Sequence, residues 1–162
     1  MAALALLCSA LCTPLHAAGD YASKMKLRYT SQSGKTPSEG AWMEYSLPIG
    51  NGQLGGSLFA GVHKDEIQFN EKTLWTGKTS DMQGYGGGYG QYKNFGSIFV
   101  EDLSGVFQPG KDGEVQDYVR SLDLIEGVGS VKFTSGRHHT TYERTYLVSK
   151  PDKVMAVRYT SA

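Results

Sequence analysis

An all-β fold, an antiparallel β-sandwich, is predicted by three observations. Short runs of alternating apolar and polar residues recur at hairpin spacing. Turn-forming Gly, Asn, Asp and Pro separate those runs. Helical periodicity is almost absent, and 21 glycines, ten tyrosines and six phenylalanines stand against five prolines, a composition suited to strands and tight turns. A chain of 162 residues is long enough for one ordinary domain. Sixteen basic residues balance sixteen acidic ones, so no electrostatic footprint for nucleic acid or an anionic membrane is expected.

The first stretch, "MAALALLCSALCTPLHAA" over residues 1–18, is apolar and ends in small residues. It is short for a membrane span and reads as a secretory signal peptide cleaved near Ala17 or Ala18, although no Lys or Arg precedes it. The protein is therefore expected to be secreted or periplasmic. Cys8 and Cys12 both fall in this segment, so the mature domain is expected to lack disulfides and zinc-thiolate sites. Residues 19–40 are polar and read as a linker with one edge strand, Lys26 to Thr30, where Leu27 and Tyr29 share a face. The sandwich domain is expected over residues 41–162, as the incomplete, C-terminally truncated part of a larger protein.

Within that domain, Gly50-Asn51-Gly52 is a turn, because Gly and Asn tolerate positive φ. From Leu54 to Val62 the chain alternates: Leu54, Gly56, Leu58, Ala60 and Val62 on one face, and Gly55, Ser57, Phe59 and Gly61 on the other. The small residues of the second face predict close approach of another backbone. His63-Lys64-Asp65-Glu66 is expected to form the polar tip of a hairpin leading into Ile67 to Asn70. Residues 76–93 form a loop around "GYGGGYGQY". A phosphate-binding reading fails there, because no Lys-Ser/Thr pair and no amphipathic helix follow. Phe95 to Leu103 resumes strand character. Val115 to Leu122 is the one short helix expected. Asp123 to Ser135, His138 to Ser149 and Lys153 to Thr160 read as three further strands.

The most polar strand end is "FNEKTLW", residues 69–75. Glu71 is a candidate general acid, Asn70 a candidate hydrogen-bonding partner for sugar hydroxyls, and Trp75 a flat stacking surface with one polar handle. The residues alone weigh more toward a strand end whose Asn and Glu cap a turn, with Trp75 filling the core. Asp65, Glu66, Glu101 and Asp102 are carboxylates of the kind that glycoside hydrolysis needs in pairs, but the sequence pairs none of them in space. Exposed strand-end carboxylates commonly do no more than solvate a surface. His138 and His139 are neighbours that a strand would aim at opposite faces, so no metal site is expected there. No cofactor is expected, and no Ser-His-Asp arrangement is recognisable.

The stretch "LPIGNGQLGGSLFAGVHKDEIQFNEKTLWTG" resembles the N-terminal signature of glycoside hydrolase family 95. In that signature Pro-x-Gly-Asn-Gly-x-Leu-Gly precedes a hairpin and Asn-Glu-x-Thr-Leu-Trp. The segment from Tyr92 to Phe99, "RSLDLIEGVGSVKF" and "TYERTYLVSKPDKVMAVRYT" are similar to later family segments in the same order, so the likeness runs from about Trp42 to Thr160. The resemblance implies an inverting α-L-fucosidase, or α-L-galactosidase, built from a β-sandwich, a linker, an (α/α)6 barrel and a C-terminal β domain. It places the catalytic carboxylates on the barrel, so no catalytic residue carries over to this chain. Asn70, Glu71, Thr73, Leu74 and Trp75 carry over as the distinctive motif, expected near the substrate or at the interface with the barrel. The implied partners are a fucosylated glycan and that barrel domain. A stand-alone carbohydrate-binding module, stacking sugars on Trp75 with Tyr85 or Tyr89, is the alternative. A purely structural domain without a sugar site is a third reading.

Overall fold

The computed structural model describes residues 24–33, 44–76, 91–104, 107, 115–136 and 138–162. Residues 1–23 lie outside that range, and with them Cys8, Cys12 and the expected signal peptide. Trp42, Tyr85, Tyr89 and the glycine-rich run are also outside it.

Three strands begin the first sheet: β2 (Leu47–Gly50), β3 (Leu54–Leu58) and β4 (Lys64–Glu71). They join β7 (Gly96–Glu101) in the order β2-β3-β4-β7. The second sheet has the order β1-β8-β9-β10-β11, from β1 (Lys26–Tyr29), β8 (Val115–Asp123), β9 (Val128–Ser135), β10 (Thr141–Ser149) and β11 (Val154–Ser161). A two-stranded ribbon pairs β5 (Trp75–Thr76) with β6 (Gln91–Tyr92). All pairings are antiparallel. The expected all-β sandwich is the observed architecture, and β1 is the expected edge strand.

The core lies between the two larger sheets. Leu47, Ile49, Leu58 and Ile67 from one meet Leu122, Val131, Phe133 and Tyr146 from the other. Each set follows the period of two along its strands, which is what turns alternation into a buried face. The sheets are offset. β2 packs on β9 and β10, while Asp65 of β4 reaches Tyr146 of β10 and Tyr159 of β11. Close approach occurs at glycines of the inner face. A Cβ on Gly129 would stand 2.5 Å from Leu58 Cδ1, and one on Gly56 would stand 2.9 Å from Met155 Cε. The close contact is therefore on the face of Leu54, Gly56 and Leu58, not on the expected face of Gly55 and Ser57. That second face is the outer one. Together with Pro48, Gln68, Asn70 and Asn94 it lines a shallow groove of about 530 Å³.

Four local expectations are corrected by the structure. Val115 to Leu122 is strand β8, not a helix. Tyr118, Arg120 and Leu122 alternate inward, and the charged Arg120 on the buried face hid the period of two. An extra residue between Gln116 and Val119 bulges the strand, with Asp117 at φ 53°. The run from Asp123 to Ser135 is broken by a hairpin turn. There Asp123 Oδ1 accepts from the amides of Ile125 and Glu126, and Gly127 takes φ 66°. His138 and His139 lie in the turn before β10 rather than on a strand, with His139 at φ 52° and its amide donating to Ser135 O.

The fourth correction is the hairpin tip. The chain reverses over residues 59–63, and Asp65 and Glu66 are buried inside β4. Two side chains from the opposite sheet, Tyr118 and Arg144, hold this reversal. Tyr118 Oη donates to Ala60 O at 2.7 Å, where Ala60 is fully buried at φ 60°. Arg144 donates to the carbonyls of Gly61 and Val62. Gly61 has no room for a side chain, since a Cβ would overlap Lys64 O. Both Arg120 and Arg144 belong to the sequence segments singled out above, and both are buried donors to backbone carbonyls. Arg120 serves Ser31 O and Tyr45 O and sits over the Tyr29 ring.

Candidate functional site

The motif of residues 70–75 forms a corner where β4 leaves its sheet. β4 has lost its β7 partner by Asn70, since the last pair of that ladder is Phe69 with Gly96. The chain turns through Lys72 and Thr73, with Leu74 N donating to Glu71 O at 3.0 Å and Lys72 N to Gln53 O at 2.9 Å. Trp75 then enters the ribbon opposite Tyr92.

Side chains of the motif bond mostly within the corner. Asn70 Oδ1 accepts from the Glu71 amide at 2.9 Å. Glu71 Oε2 accepts from the Thr73 amide at 2.9 Å and from the Thr73 hydroxyl. Trp75 Nε1 donates to Lys72 O at 2.7 Å. The Thr73 hydroxyl, then the Thr73 amide, hold the Glu71 carboxyl below its ordinary range, with further help from Gln53 and Lys72. A general acid needs the opposite shift, and the bonds to Thr73 are those of a turn-capping carboxylate. Its second oxygen, Oε1, is shielded from solvent with no hydrogen-bond partner among the described residues.

Trp75 is 51% exposed, so it does not fill the core. Its indole N–H is held by the turn while much of its ring faces outward. Its chain neighbour Leu74 is exposed, as is Phe95, whose ring lies tilted on Phe69 with centroids 4.8 Å apart. Asn70 also lines the outer groove with Asn94 and Gln68. The structure thus brings Asn70, Glu71, Thr73 and Trp75 together as one rigid corner bordering a groove with amide side chains. Tyr85 and Tyr89 lie outside the described residues.

The weighed carboxylates do not converge on this corner. Glu101 lies 3.5 Å from His63 Nε2, and Asp102 caps Ser104. Asp65 is 1% exposed, and its Oδ2 accepts from Tyr146 Oη at 2.5 Å and Tyr159 Oη at 2.9 Å, with Arg144 at 3.7 Å. It is a clamp between the sheets, and sequence reasoning missed it by reading it as a surface group. Asn51 was read only as a turn residue. Its Oδ1 accepts from the amides of Gln53 and Leu54, and its Nδ2 donates across to Ser149 O at 2.7 Å. Among the described residues no group of three His, Cys, Asp or Glu side chains is arranged to hold a metal ion. No described helix is long and apolar enough to cross a membrane.

Alpha-L-fucosidase 2 of Arabidopsis thaliana is 27% identical to this chain over an alignment covering 70% of the chain. The alignment spans 16% of that relative's length. A family profile described as glycosyl hydrolase family 65, N-terminal domain, matches residues 27–89 and 79–162. Those matches take in both sheets and the corner, and the chain belongs to this family of glycosyl hydrolase N-terminal domains.

Proposed function

We propose that this chain is the non-catalytic N-terminal β-sandwich of a secreted or periplasmic family 95 glycoside hydrolase, one that acts on α-L-fucosides with inversion. The observation that carries the reading is the likeness to an α-L-fucosidase over 70% of the chain. Inversion needs an acid and a base on opposite sides of the scissile bond, roughly 6.5–9.5 Å apart. The corner offers a single carboxylate, bonded within its own turn, so both catalytic groups are assigned to an (α/α)6 barrel in the same polypeptide. The apolar residues 1–18 support export. In this reading the corner borders the barrel. Its turn is locked by Glu71 and Thr73, and the Trp75 ring is presented to sugar.

The 162-residue chain is expected to show no turnover of an aryl α-L-fucoside. Steady turnover that survives repurification would place a catalytic pair on this domain and end the proposal. In the longer enzyme Trp75→Ala is expected to lower kcat/KM by about tenfold or more with little change in Tm, because the ring is exposed and removal opens no core cavity. A lowered Tm with unchanged turnover per folded molecule would return Trp75 to a packing role. The exposed ring also favours a second reading, a sugar-binding module. Saturable binding of fucosylated glycans by the 162-residue chain, abolished by Trp75→Ala, would support it.

A further inference from the structure

β7 carries core-facing side chains that the core of described residues leaves exposed. Cross-strand partners share a face, and Val100 pairs with Asp65 while Ile98 pairs with Ile67. Asp65 and Ile67 are each 1% exposed, yet Ile98 and Val100, pointing the same way, are 44% and 39% exposed. The offset of the sheets is the cause: β4 lies over β10 and β11, so β7 projects past β11, the last strand of the opposite sheet. A cavity of about 290 Å³ opens along this seam, between Val100 and Asp102 on one side and Arg144, Tyr159 and Ser161 on the other. Asp65 Oδ1 is buried beside the seam and has no donor among the described residues.

Among the described residues, β11 has no strand paired to its outer backbone edge, which faces the same seam. Thr141 and Ala162 exchange both backbone hydrogen bonds. Hydrogen-bonded and non-hydrogen-bonded pairs alternate along an antiparallel ladder. With the observed register, the backbone groups of Val154, Ala156, Arg158 and Thr160 therefore point at β10. Those of Met155, Val157, Tyr159 and Ser161 point at the free edge.

We propose that this edge accepts a further antiparallel strand that covers Ile98 and Val100 and fills the seam. We assign it to the polypeptide that follows Ala162 in the longer protein. Two observations select that occupant over a second copy. β8, β9, β10 and β11 form a meander in which each strand pairs with the one before it. The next hairpin of the same meander lands on the free edge of β11. The relative matched by this chain extends far beyond the matched part, which is 16% of its length. The inference does not depend on the substrate or on the role of the corner.

Amide hydrogen exchange, read residue by residue, tests it in the 162-residue chain and in the protein carrying its native continuation. In the shorter chain, protection along β11 should alternate, slow at Ala156, Arg158 and Thr160 and fast at Val157, Tyr159 and Ser161. In the longer protein the fast set should slow by about 100-fold or more, as expected for amides drawn into a ladder. If the shorter chain exchanges throughout, the longer protein decides alone: uniform protection supports the strand, and persistent alternation overturns it. Protection of the fast set that rises with concentration of the shorter chain, together with dimers in sedimentation, would give the edge to a second copy and overturn the assignment. A reading frame that stops at Ala162 would also overturn it.

Discussion

Asp65→Ala is expected to destabilise the domain by about 3–5 kcal/mol, as when one partner of a buried charged network is removed. The carboxylate is almost wholly buried and joins three groups of the opposite sheet. Truncation leaves the hydroxyls of Tyr146 and Tyr159 without their acceptor, in a site that water does not reach easily. Arg144 keeps the carbonyls of Gly61 and Val62 but loses the carboxylate that stands 3.7 Å away. Domains of this size have total stabilities of about 5–15 kcal/mol, so the variant should approach the unfolding threshold. Asp65→Asn retains an acceptor and should lose less. Urea unfolding measures both, and a shift of the midpoint at constant slope reports stability alone. A loss under about 1 kcal/mol for the alanine variant would mean that the clamp contributes no more than an exposed pair. Coupling between Asp65→Ala and Tyr146→Phe in a double-mutant cycle would isolate the hydrogen bond itself.

Above pH 10 the fold is expected to lose stability steeply. Burial, first of all, raises the Tyr118 and Tyr146 phenols far above their ordinary value of 10.0, and for Tyr146 the neighbouring Asp65 charge adds to it. The folded state therefore keeps protons that the unfolded chain gives up. With more protons on the folded form, stability is intact below about pH 10 and falls as the pH rises beyond it. Each such group contributes about 1.36 kcal/mol per pH unit, so this pair gives a slope of about 2.7. Tyr159 is raised by the same causes but is 41% exposed, and solvent screening makes its share smaller. Absorbance at 295 nm should show the exposed tyrosines ionising first and these phenols only as the fold is lost. If all ten tyrosines titrated together near pH 10 with the fold intact, the burial argument would fail.

Much of the architecture was legible from neighbours in the chain. The alternation from Leu54 to Leu58, the Gly50-Asn51-Gly52 turn and the edge strand at Lys26 all depend on contacts a few residues apart. Strand β8 was misread because its buried face carries Arg120. The alternation was present, but the charge is tolerated inside only because Ser31 and Tyr45 supply carbonyls from residues 89 and 75 positions away. The corner was legible as a polar motif and a family signature. Its internal hydrogen bonds are local, and a turn capped by Asn70 and Glu71 was the reading the residues favoured.

By itself, then, the sequence determined the class of the fold, most of its strands and turns, and the kinship with glycosyl hydrolases. Period-two patterning and turn chemistry act over two to five residues, so they can be read without coordinates. The tertiary structure alone decided which charges go inside and which aromatics stay out. Asp65 looks like a surface residue beside Lys64 and Glu66, and becomes a clamp because its donors stand 81 and 94 residues downstream. Trp75 looks like core, and is exposed because the turn at Lys72 takes its indole N–H and swings the ring outward. Ile98 and Val100 have the pattern of a covered face, and only the offset of two sheets leaves them open. Each of these outcomes depends on partners brought together by long-range packing, whose identity no local pattern encodes.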